Sequence, residues 1–524
     1  MKTCGEVLVE ILEAYGIDTV FGIPGVHTVE LYRGLPNTKL RHVTPRHEQG
    51  AGFMADGYAR VSGKPAACFI ITGPGMTNIA TALGQAFADS IPMLVISSVN
   101  SSHELGLGEG RLHELPSQRN LVEGVTVFSH TVLRADELPA VLARAFAVFE
   151  STRPGPVHIE LPLDVITAPG EQLARKAHPT RSRPGPDPAA ISAAAELLRQ
   201  ARDPMVVLGG GTQDAYPEAL SLVERLGAPT ILTINAKGVL PSGHPLSLGS
   251  NLPHPPVLAA LQAADVVLAV GTELSETDTL LFYGQLELRG KLIRIDIDPE
   301  QLVRNVLPEI AIASDSGLAL KALNAALAGF NGPAEASRER VAALRAQSDA
   351  LLPEAYRSHQ KFMSALEEAL PGVIVAGDST QPVYGANLFY EPAGPRRYFN
   401  SSTGYGTLGY ALPAAMGAKL AAPDQRVIGL MGDGGIQFTI GELATAVELK
   451  LPLPIVLWNN SGYGEIKRYM VEREIPTIGV DIYTPDFQTI AKGFGCAAVK
   501  VESFDHMKEQ LRWAVESDRP TILE

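Results

Sequence analysis

The chain has 524 residues, of which 45% are hydrophobic and 19% are charged, a composition typical of folded domains. Its 43 Lys and Arg residues against 57 Asp and Glu residues give a formal net charge of −14, which argues against a general nucleic-acid binder, since that class needs a basic surface. Three widely separated cysteines, Cys4, Cys68 and Cys496, predict neither a disulfide framework nor a zinc site, a pattern typical of a cytoplasmic protein.

The N-terminal segment predicts a helix. Thr3 and Glu6 form a capping-box pattern and Gly16 is a helix stop. Strand-length apolar runs then alternate with helical patterns, at 67–72, 93–98, 205–208, 266–270, 292–297, 373–376, 427–431 and 455–458. Such runs are typical of parallel strands covered on both faces, so we predict an α/β fold of doubly wound parallel sheets. None of the runs approaches the roughly 20 residues that a membrane helix needs, so no membrane partner is expected.

Two changes in composition divide the chain into thirds. Residues 169–189 are rich in Pro and Arg. The segment 331–337 interrupts the apolar pattern before a charged helix that is predicted over 338–352. The predicted domains are 1–168, 190–330 and 338–524. Segments 69–100 and 429–460 share a pattern of strand, Gly-rich turn, Ala-rich helix and strand, which fits either an internal duplication or two ordinary βαβ units.

Glycine-rich and amide-rich turns follow two predicted strands in the last third. Gly432-Asp433-Gly434-Gly435 follows the strand at 427–431, and Asn459-Asn460 follows the strand at 455–458. Carboxyl ends of parallel strands bind ligands in open α/β sheets. Glycine lets a backbone approach a phosphate closely, and carboxylate and amide oxygens suit Mg²⁺. The pattern predicts a magnesium-diphosphate site, and the alternative is two unrelated turns.

These turns resemble the thiamine-diphosphate signature of the pyruvate decarboxylase and acetolactate synthase superfamily. Further segments along the whole chain resemble the same superfamily: Phe21-Gly-Ile-Pro-Gly25, Arg46-His-Glu48, Gly73-Pro-Gly75 with Asn78, Gly155 to Pro162, and Gly404 to Gly417. The resemblance implies a pyrimidine-binding, a central and a diphosphate-binding domain. It also implies a homodimer with active sites at the subunit interface, commonly assembled into a homotetramer.

The resemblance assigns the residues that would contact thiamine diphosphate and Mg²⁺. Glu48 would hydrogen-bond the aminopyrimidine ring and promote loss of the cofactor's C2 proton, and Leu408 would wedge between the two cofactor rings. The Gly406 backbone would accept from the 4′-amino group, and Asp433, Asn460 and the Gly462 carbonyl would hold Mg²⁺. Further cofactor contacts are expected at Gly25, Thr72, Pro74, Asn78, Gly432, Gly434, Gly435 and Tyr463.

The expected reaction is non-oxidative decarboxylation of a 2-oxo acid to an aldehyde and CO₂. His113, Gln381 and Glu465 are the candidate catalytic residues beside Glu48, although a structural role fits each of the three. An acetolactate synthase-like carboligase is the alternative reaction. FAD is not expected, because the run from Gly271 to Asp278 is acidic and lacks the arginine of the flavin-contacting segment.

The substrate is less well specified than the cofactor. The segments from Phe21 to Leu35, Leu112-His113-Glu114 and Gly271-Thr272-Glu273 resemble 2-ketoarginine (5-guanidino-2-oxopentanoate) decarboxylases. A guanidinium substrate needs a carboxylate partner, and Glu465 or Asp378 could provide one. Gly209-Gly210-Gly211 is a poor match to a dinucleotide fingerprint, so we interpret it as a structural turn, with a vestigial nucleotide site as the alternative.

Overall fold

The computed structural model describes residues 1–180, 182–282 and 284–524. Its described residues form three parallel sheets flanked by helices, so the predicted α/β class is confirmed. Two compact units emerge from the contacts. The first contains Met1–Ser182, Val375–Thr380 and Gly404–Glu524, and the second contains Arg183–Ile374 and Gln381–Thr403. The three predicted domain boundaries stay a prediction.

The N-terminal part of the first unit contains one sheet and its helices. In chain order its elements are α1 (Cys4–Ala14), β1 (Thr19–Gly22), α2 (Val29–Gly34), β2 (Arg41–Val43), α3 (Glu48–Ser62), β3 (Ala66–Ile70), α4 (Pro74–Ala88), β4 (Met93–Val99), α5 (Gln118–Glu123), β5 (Phe128–Thr131), α6 (Leu138–Ser151), β6 (Pro156–Pro162) and α7 (Leu163–Ile166). The strand order is β2-β1-β3-β4-β6-β5. The Thr3–Glu6 capping box is present, which confirms the predicted start of the first helix.

The second unit contains a five-stranded sheet with strand order β11-β10-β9-β7-β8. Its elements, together with β12, which links the two units in sequence, are α8 (Pro188–Gln200), β7 (Pro204–Leu208), α9 (Tyr216–Leu226), β8 (Thr230–Leu232), α10 (Pro255–Ala263), β9 (Val266–Val270), α11 (Glu276–Thr279), β10 (Lys291–Asp296), β11 (Ile310–Ala313), α12 (Ser316–Ala326), α13 (Ala334–Ala350), α14 (Glu354–Ala369), β12 (Ile374–Gly377), α15 (Gln381–Phe389) and β13 (Tyr398–Asn400). Helix α13 begins four residues before the charged segment expected at 338, directly after Pro333.

The turn after β7 shows how its three glycines are used. The Gly209 and Gly211 N–H groups donate to the carbonyls of Val270 and Gly271, at 2.8 and 3.1 Å. A Cβ atom on Gly209 would lie 2.0 Å from the Gly271 carbonyl oxygen, so only glycine fits. These N–H groups are therefore already bonded within the protein, which supports the interpretation of a structural turn.

The C-terminal part of the first unit repeats the architecture of the N-terminal part. Its elements are α16 (Ala411–Ala421), β14 (Val427–Gly432), α17 (Asp433–Ile436), α18 (Glu442–Glu448), β15 (Pro454–Trp458), α19 (Gly464–Glu472), α20 (Phe487–Gly493), β16 (Ala497–Val499), α21 (Phe504–Ala514) and β17 (Thr521–Leu523). Within the first unit its strands run β12-β14-β15-β17-β16. None of the described helices is both long and apolar enough to cross a bilayer.

A buried ion network joins the two parts of the first unit. The Arg60 guanidinium contacts Asp56 and Asp89, each at 2.6 Å, and the Tyr410 hydroxyl on the segment before α16 donates to Asp56. All four side chains are nearly or fully buried. Breaking a buried ion pair is strongly destabilising, so this network has a structural role that positions α3.

Candidate active site

Glu48 is the first residue of α3 and lies largely buried, with 9% of its surface exposed. The preceding His47 caps the helix by accepting from the Gln49 N–H. The Asn78 side-chain amide on α4 donates to Glu48 Oε2 at 2.9 Å. This contact unites two of the residues that the sequence predicted to bind the cofactor. A carboxylate at a helix N-terminus is also stabilised by the helix dipole.

The carboxyl group of Glu442 on α18 fixes the backbone in front of Glu48. Its Oε1 accepts from the Arg46 and His47 N–H groups at 3.0 and 3.1 Å, and its Oε2 accepts from the Thr445 hydroxyl at 2.9 Å. Burial raises the pKa of Glu442 to about 7. Gly50 is required beside it, because a Cβ there would lie 2.2 Å from Glu442 Oε1. Sequence reasoning missed Glu442, because no motif in the sequence marks its position.

The turn after β3 lies between Glu48 and His113. Gly73 caps α4 with a φ of 71° and Pro74 begins the helix. A Cβ on Gly73 would lie 2.6 Å from the His113 carbonyl oxygen, and one on Gly75 would lie 3.3 Å from Glu48 Oε1. Gly73 and Gly75 therefore have no room for a side chain, and the turn brings three of the predicted site segments together. Gly25 also approaches it, since a Cβ there would lie 2.2 Å from Ile71 Cδ1.

Gln118, the first residue of α5, forms hydrogen bonds to this turn. Its Oε1 accepts from the Thr72 hydroxyl and the Gly73 N–H at 2.8 and 3.0 Å. Its Nε2 lies within 3.0 Å of three acceptors: Ser97 Oγ, the Ser98 carbonyl oxygen and Glu160 Oε2. Gln118 is 2% exposed, and burial raises the pKa of Glu160. A buried amide with this many partners fixes the ends of three strands together. Sequence reasoning did not single it out.

His113 is presented by a loop with a strained backbone. Its φ is 61°, in the left-handed region that non-glycine residues seldom adopt. The neighbouring Glu114 carboxylate accepts from the Gly108 and Arg111 N–H groups at 2.9 and 2.8 Å, and these bonds, led by that from Arg111, lower its pKa. Glu114 thus holds the fold of the loop.

His27 is a second histidine at this place, and sequence reasoning missed it. Its ring centroid lies 5.1 Å from that of His113 with the ring planes inclined at 39°. His27 is 6% exposed, and its pKa is lowered by burial and, second, by the charge of His113. In the sequence, His27 lies two residues after Gly25, a predicted cofactor contact, and this position was the available signal that His27 lies near the site.

The predicted diphosphate half of the site lies at the ends of β14 and β15. Asp433 is 1% exposed, and its Oδ1 accepts from the Asn460 N–H at 3.3 Å. The structure thus brings together the two turns whose pairing the sequence predicted. Gly462 has a φ of 151°, and a Cβ on it would lie 2.4 Å from the Val480 carbonyl oxygen. Tyr463 covers Gly434, where a Cβ would lie 2.6 Å from the Tyr463 ring.

The segment from Gly406 to Gly409 is fastened at two points. The Thr407 hydroxyl donates to Gln85 Oε1 at 2.9 Å, and the Gly409 N–H donates to Asp378 Oδ2 at 2.8 Å. Gly406 has a φ of 78° and is exposed, and Leu408 is half-buried between these two anchors. Asp378 is fully buried, and a Cβ on Gly435 would lie 2.8 Å from its Oδ2. Asp378 therefore accepts a hydrogen bond from the backbone of this segment and fixes its position.

Two of the candidate catalytic residues lie outside these clusters. Glu465, on α19, forms an ion pair with Arg468 one helical turn later and is 30% exposed. Gln381 is the first residue of α15 and belongs to the second unit. Tyr469, on the same helix as Glu465, stacks under the Arg473 guanidinium at 4.0 Å. None of these observations ties Glu465 or Gln381 to Glu48.

The donor set at Asp433 and Asn460 fits a magnesium-diphosphate group. One carboxylate, one amide and a backbone carbonyl leave positions for diphosphate oxygens and water, as Mg²⁺ prefers. Among the residues described, no group of three or more His, Cys, Asp or Glu side chains could hold a metal alone. Glycines 432, 434 and 435 leave room for a phosphate near the backbone.

The fold and the two halves of the site define a class of enzyme. Family models of thiamine pyrophosphate enzymes match the chain in three parts: the N-terminal TPP binding domain at 2–121, the central domain at 191–323 and the C-terminal TPP binding domain at 378–524. The chain belongs to the thiamine pyrophosphate enzyme family, and it is a thiamine-diphosphate-dependent enzyme.

Three individual relatives align with nearly the whole chain. The chain is 46% identical to the probable 2-ketoarginine decarboxylase AruI of Pseudomonas aeruginosa, over 100% of this chain and 93% of the relative. It is 32% identical to the acetolactate synthase isozyme 1 large subunit of Escherichia coli, over 99% of this chain and 93% of the relative. The chain is 30% identical to a probable acetolactate synthase large subunit of Methanocaldococcus jannaschii, over 99% of this chain and 91% of the relative.

Proposed function

We propose that the protein catalyses the thiamine-diphosphate- and Mg²⁺-dependent, non-oxidative decarboxylation of a 2-oxo acid to an aldehyde and CO₂, with a guanidino 2-oxo acid as its preferred substrate. The observation that carries the proposal is the buried Glu48–Asn78 contact beside His113, across the Gly73 turn. The likeness to a probable 2-ketoarginine decarboxylase supports the choice of reaction and substrate. Segments 1–168, 190–330 and 338–524 are the proposed pyrimidine-binding, central and diphosphate-binding domains.

Each half of the site has its own task in this proposal. When bound, thiamine diphosphate supplies the carbon nucleophile and electron sink that decarboxylation requires. Glu48 holds a proton at a ring nitrogen of the aminopyrimidine, with Asn78 fixing the carboxylate. The buried surroundings strengthen that charge-assisted hydrogen bond. Leu408 and the Gly406 backbone orient the cofactor rings, and Gly25, Thr72 and Pro74 shape the pocket wall around them.

The second half holds the anion and the metal. Asp433, Asn460 and the Gly462 carbonyl bind Mg²⁺, which neutralises diphosphate charge. Gly432, Gly434 and Gly435 admit the phosphates, and Tyr463 closes the turn over them. The bond between Asp433 Oδ1 and the Asn460 N–H holds the two turns together.

Glu465 is the proposed partner of the substrate guanidinium. It already binds one guanidinium, that of Arg468, and it stays 30% exposed. Asp378 is fully buried and accepts from backbone N–H groups of Ser379 and Gly409 at 2.8 Å, so it is the weaker candidate. A carboxylate matches the paired N–H donors of a guanidinium. Gln381 is proposed to contact the substrate.

A second copy of the chain is proposed to complete each site, in a homodimer that assembles into a homotetramer. Large apolar side chains next to both halves are exposed: Val26 by 66%, Leu112 by 62%, Phe438 by 55%, Ile466 by 53% and Tyr405 by 51%. Apolar surface of this kind is typical of an interface. The assembly is proposed to be cytoplasmic.

Carboligation is the second candidate function, favoured by full-length relatives named as acetolactate synthases. The two reactions differ in their products, since carboligation joins the remaining fragment to a second oxo acid or aldehyde.

A panel of 2-oxo acids tests both candidates. The purified protein with thiamine diphosphate and Mg²⁺, without FAD, receives pyruvate, branched, aromatic and guanidino 2-oxo acids, and CO₂ and organic products are measured separately. We expect an aldehyde in equal amount to CO₂, with the guanidino acid giving the highest kcat/KM. A hydroxyketone or acetolactate as the main product would favour the carboligase. Glu465→Gln should raise KM for the guanidino acid about tenfold or more and leave pyruvate unchanged; Glu509→Gln, an exposed glutamate on α21, is the matched control.

A further inference from the structure

A second buried carboxyl group lies at the start of α3, against the residues that precede Glu48. The Glu442 side chain on α18 is 1% exposed, and its Oε1 accepts from the Arg46 and His47 N–H groups. A Cβ on Gly50 would lie 2.2 Å from the same oxygen. The carboxyl group is therefore enclosed against the first turn of α3, and only the fold brings these distant segments together.

The cations near Glu442 are engaged elsewhere. The Arg46 guanidinium donates to a backbone carbonyl at 2.8 Å and contacts the carboxylate of Glu448, which is 59% exposed. Helix α16 also packs against α18, and its Lys419 ammonium donates to two backbone carbonyls at 2.9 and 2.8 Å. Glu442 thus accepts hydrogen bonds from two backbone N–H groups and the Thr445 hydroxyl instead of forming an ion pair. Neutral donors offset the burial of a negative charge less well than a paired cation does.

The titratable groups at the start of α3 add no positive charge. The His47 Nδ1 accepts from the Gln49 N–H at 3.1 Å, as only a neutral imidazole can. Glu48 is itself a carboxyl group, held by the Asn78 amide. Negative charge on both Glu48 and Glu442 would be unfavourable, because like charges at one helix start repel each other. Burial raises the pKa of Glu442 to about 7, which favours its neutral form. Carboxyl groups with such different surroundings take different roles in one site.

We propose that Glu442 is a positioning residue for Glu48 that acts as a neutral carboxylic acid. It holds the backbone before Glu48 without placing a second negative charge at the start of α3. Its ionisation loosens this backbone and lowers activity at alkaline pH. The inference rests on the proposed role of Glu48 at the aminopyrimidine ring. Glu442 itself contacts protein groups and exchanges no proton with the substrate.

The first test detects the neutral carboxyl group without cofactor or turnover. The infrared spectrum of the full chain should lose one neutral carboxyl band as pH rises through 7. This band should be absent from Glu442→Gln at every pH. Glu448→Gln is the matched control, because Glu448 lies on the same helix and contacts the Arg46 side chain at the surface, and it should retain the band. A band that persists in Glu442→Gln would overturn the assignment.

The second test measures how firmly the backbone before Glu48 is held. Hydrogen–deuterium exchange is followed by mass spectrometry in the peptide that contains Arg46 and His47, with protection corrected for the intrinsic rate at each pH. Protection in the wild type should fall about tenfold as pH rises through 7, whereas Glu442→Gln should keep it on both sides. Glu442→Ala should lose about tenfold at every pH. Wild-type protection in folded Glu442→Ala would overturn the proposal.

The third test measures the consequence for Glu48. With thiamine diphosphate and Mg²⁺ bound and no substrate present, Glu442→Ala should slow deuterium exchange at the cofactor's C2 about a hundredfold. The affinity for thiamine diphosphate should change less than about threefold, because Asp433 and Asn460 are intact. Glu442→Gln should restore exchange below pH 7 and remove its decline above pH 7. With the preferred acid, the loss in Glu442→Ala should appear in kcat and leave KM nearly unchanged.

The outcomes distinguish this inference from the proposed function. Wild-type C2 exchange in folded Glu442→Ala, or the same alkaline decline in Glu442→Gln as in the wild type, would overturn the inference and leave the decarboxylase intact. A wild-type protein inert to every acid would refute the proposed function, and the infrared and protection measurements would then decide about Glu442. If Glu442→Ala does not fold, the pH dependence of Glu442→Gln decides in the same way.

Discussion

Two turns follow equivalent strands in two sheets of the same topology, and they carry different chemistry. Within the first unit, strands β1-β3-β4-β6-β5 and β12-β14-β15-β17-β16 occur in the same relative order along the chain. The turn at 71–75 follows β3, and Gly432 to Gly435 spans the end of β14 and the start of α17. The first turn is surrounded by Glu48, His113 and the amide of Gln118. The second carries its own carboxylate, Asp433.

In the proposed function, the same sheet topology binds both ends of one cofactor. The first turn contributes no charge, and its functional groups come from neighbouring elements that are held over it. In the proposed function the second contributes backbone and one oxygen ligand, as an anion and a hard cation require. Topology therefore fixes where a site forms, whereas the residues around each turn decide what it binds. Variants that alter one turn at a time test this division of tasks.

The largest effect is expected from Glu48→Gln, which alters the first half alone. In the proposed function the Glu48 carboxylate holds the aminopyrimidine, and an amide cannot do so in the same way, so aldehyde formation should fall about a thousandfold. Thiamine diphosphate binding in the presence of Mg²⁺, measured by calorimetry, should change much less because Asp433 and Asn460 are intact. Glu123→Gln, at the exposed end of α5, is the control. Undiminished turnover in folded Glu48→Gln would refute the assignment of this carboxylate.

Asp433→Asn should break the second half and leave the first intact. Losing the carboxylate that is proposed to bind the metal should weaken Mg²⁺-dependent thiamine diphosphate binding about a hundredfold. Calorimetry with Mg²⁺ and with EDTA measures the effect, and Asp424→Asn, in the exposed turn after α16, should bind normally. An unchanged affinity would show that the metal lies elsewhere.

Gln118→Ala should loosen the first turn from its support. The Thr72 hydroxyl, the Gly73 N–H and Glu160 would each lose a buried partner, so the free energy of unfolding should fall by about 3 kcal/mol. Urea denaturation measures the loss. The exposed Gln172 side chain donates to the Pro169 carbonyl three residues earlier, and Gln172→Ala, the control, should cost less than about 0.5 kcal/mol. Equal free energies of unfolding for Gln118→Ala and the wild type would show that water replaces the Gln118 side chain without cost.

Much of the fold could be predicted from the sequence, because buried parallel strands are continuous apolar runs. The run at 266–270 coincides with β9, and the runs at 427–431 and 455–458 differ from β14 and β15 by one residue each. The helix expected from 338 begins instead at Ala334. Its first turn has few large apolar residues, so periodicity gave no signal, whereas Ala and Glu are good helix formers and Pro333 precedes them.

The proposed diphosphate half has a local sequence signal that the other half lacks. Asp433 lies inside a local Gly-rich pattern directly after a strand. His27, Gln118 and Glu442 are each placed by contacts with residues distant in sequence: His113, Thr72 and Arg46. No local pattern records such contacts. The roles of Gln381 and Glu465 stay predictions.

Glu442 connects the two regions, because it extends from the C-terminal part to the backbone in front of Glu48. Burial raises its pKa from 4.5 to about 7, so the folded protein binds more protons than the unfolded chain between these values. Stability from this group is fully present below pH 4.5 and is lost as pH rises through 7, by at most about 3 kcal/mol. Glu442→Gln keeps an oxygen for the Arg46 and His47 N–H groups and cannot ionise.

Urea denaturation at several pH values measures this dependence. The slope of unfolding free energy between pH 4.5 and 7 should be less negative in Glu442→Gln than in the wild type, and above pH 7 the variant should be the more stable of the two. The exposed Glu509 provides the control Glu509→Gln, which should retain the wild-type slope. If Glu442→Gln also retained it, the carboxylate would be ionised in the folded protein at neutral pH. The hydrogen bonds from the Arg46 and His47 N–H groups would then lower the pKa of Glu442 by more than burial raises it. The contact between Glu442 and the backbone before α3 would be one with a charged carboxylate.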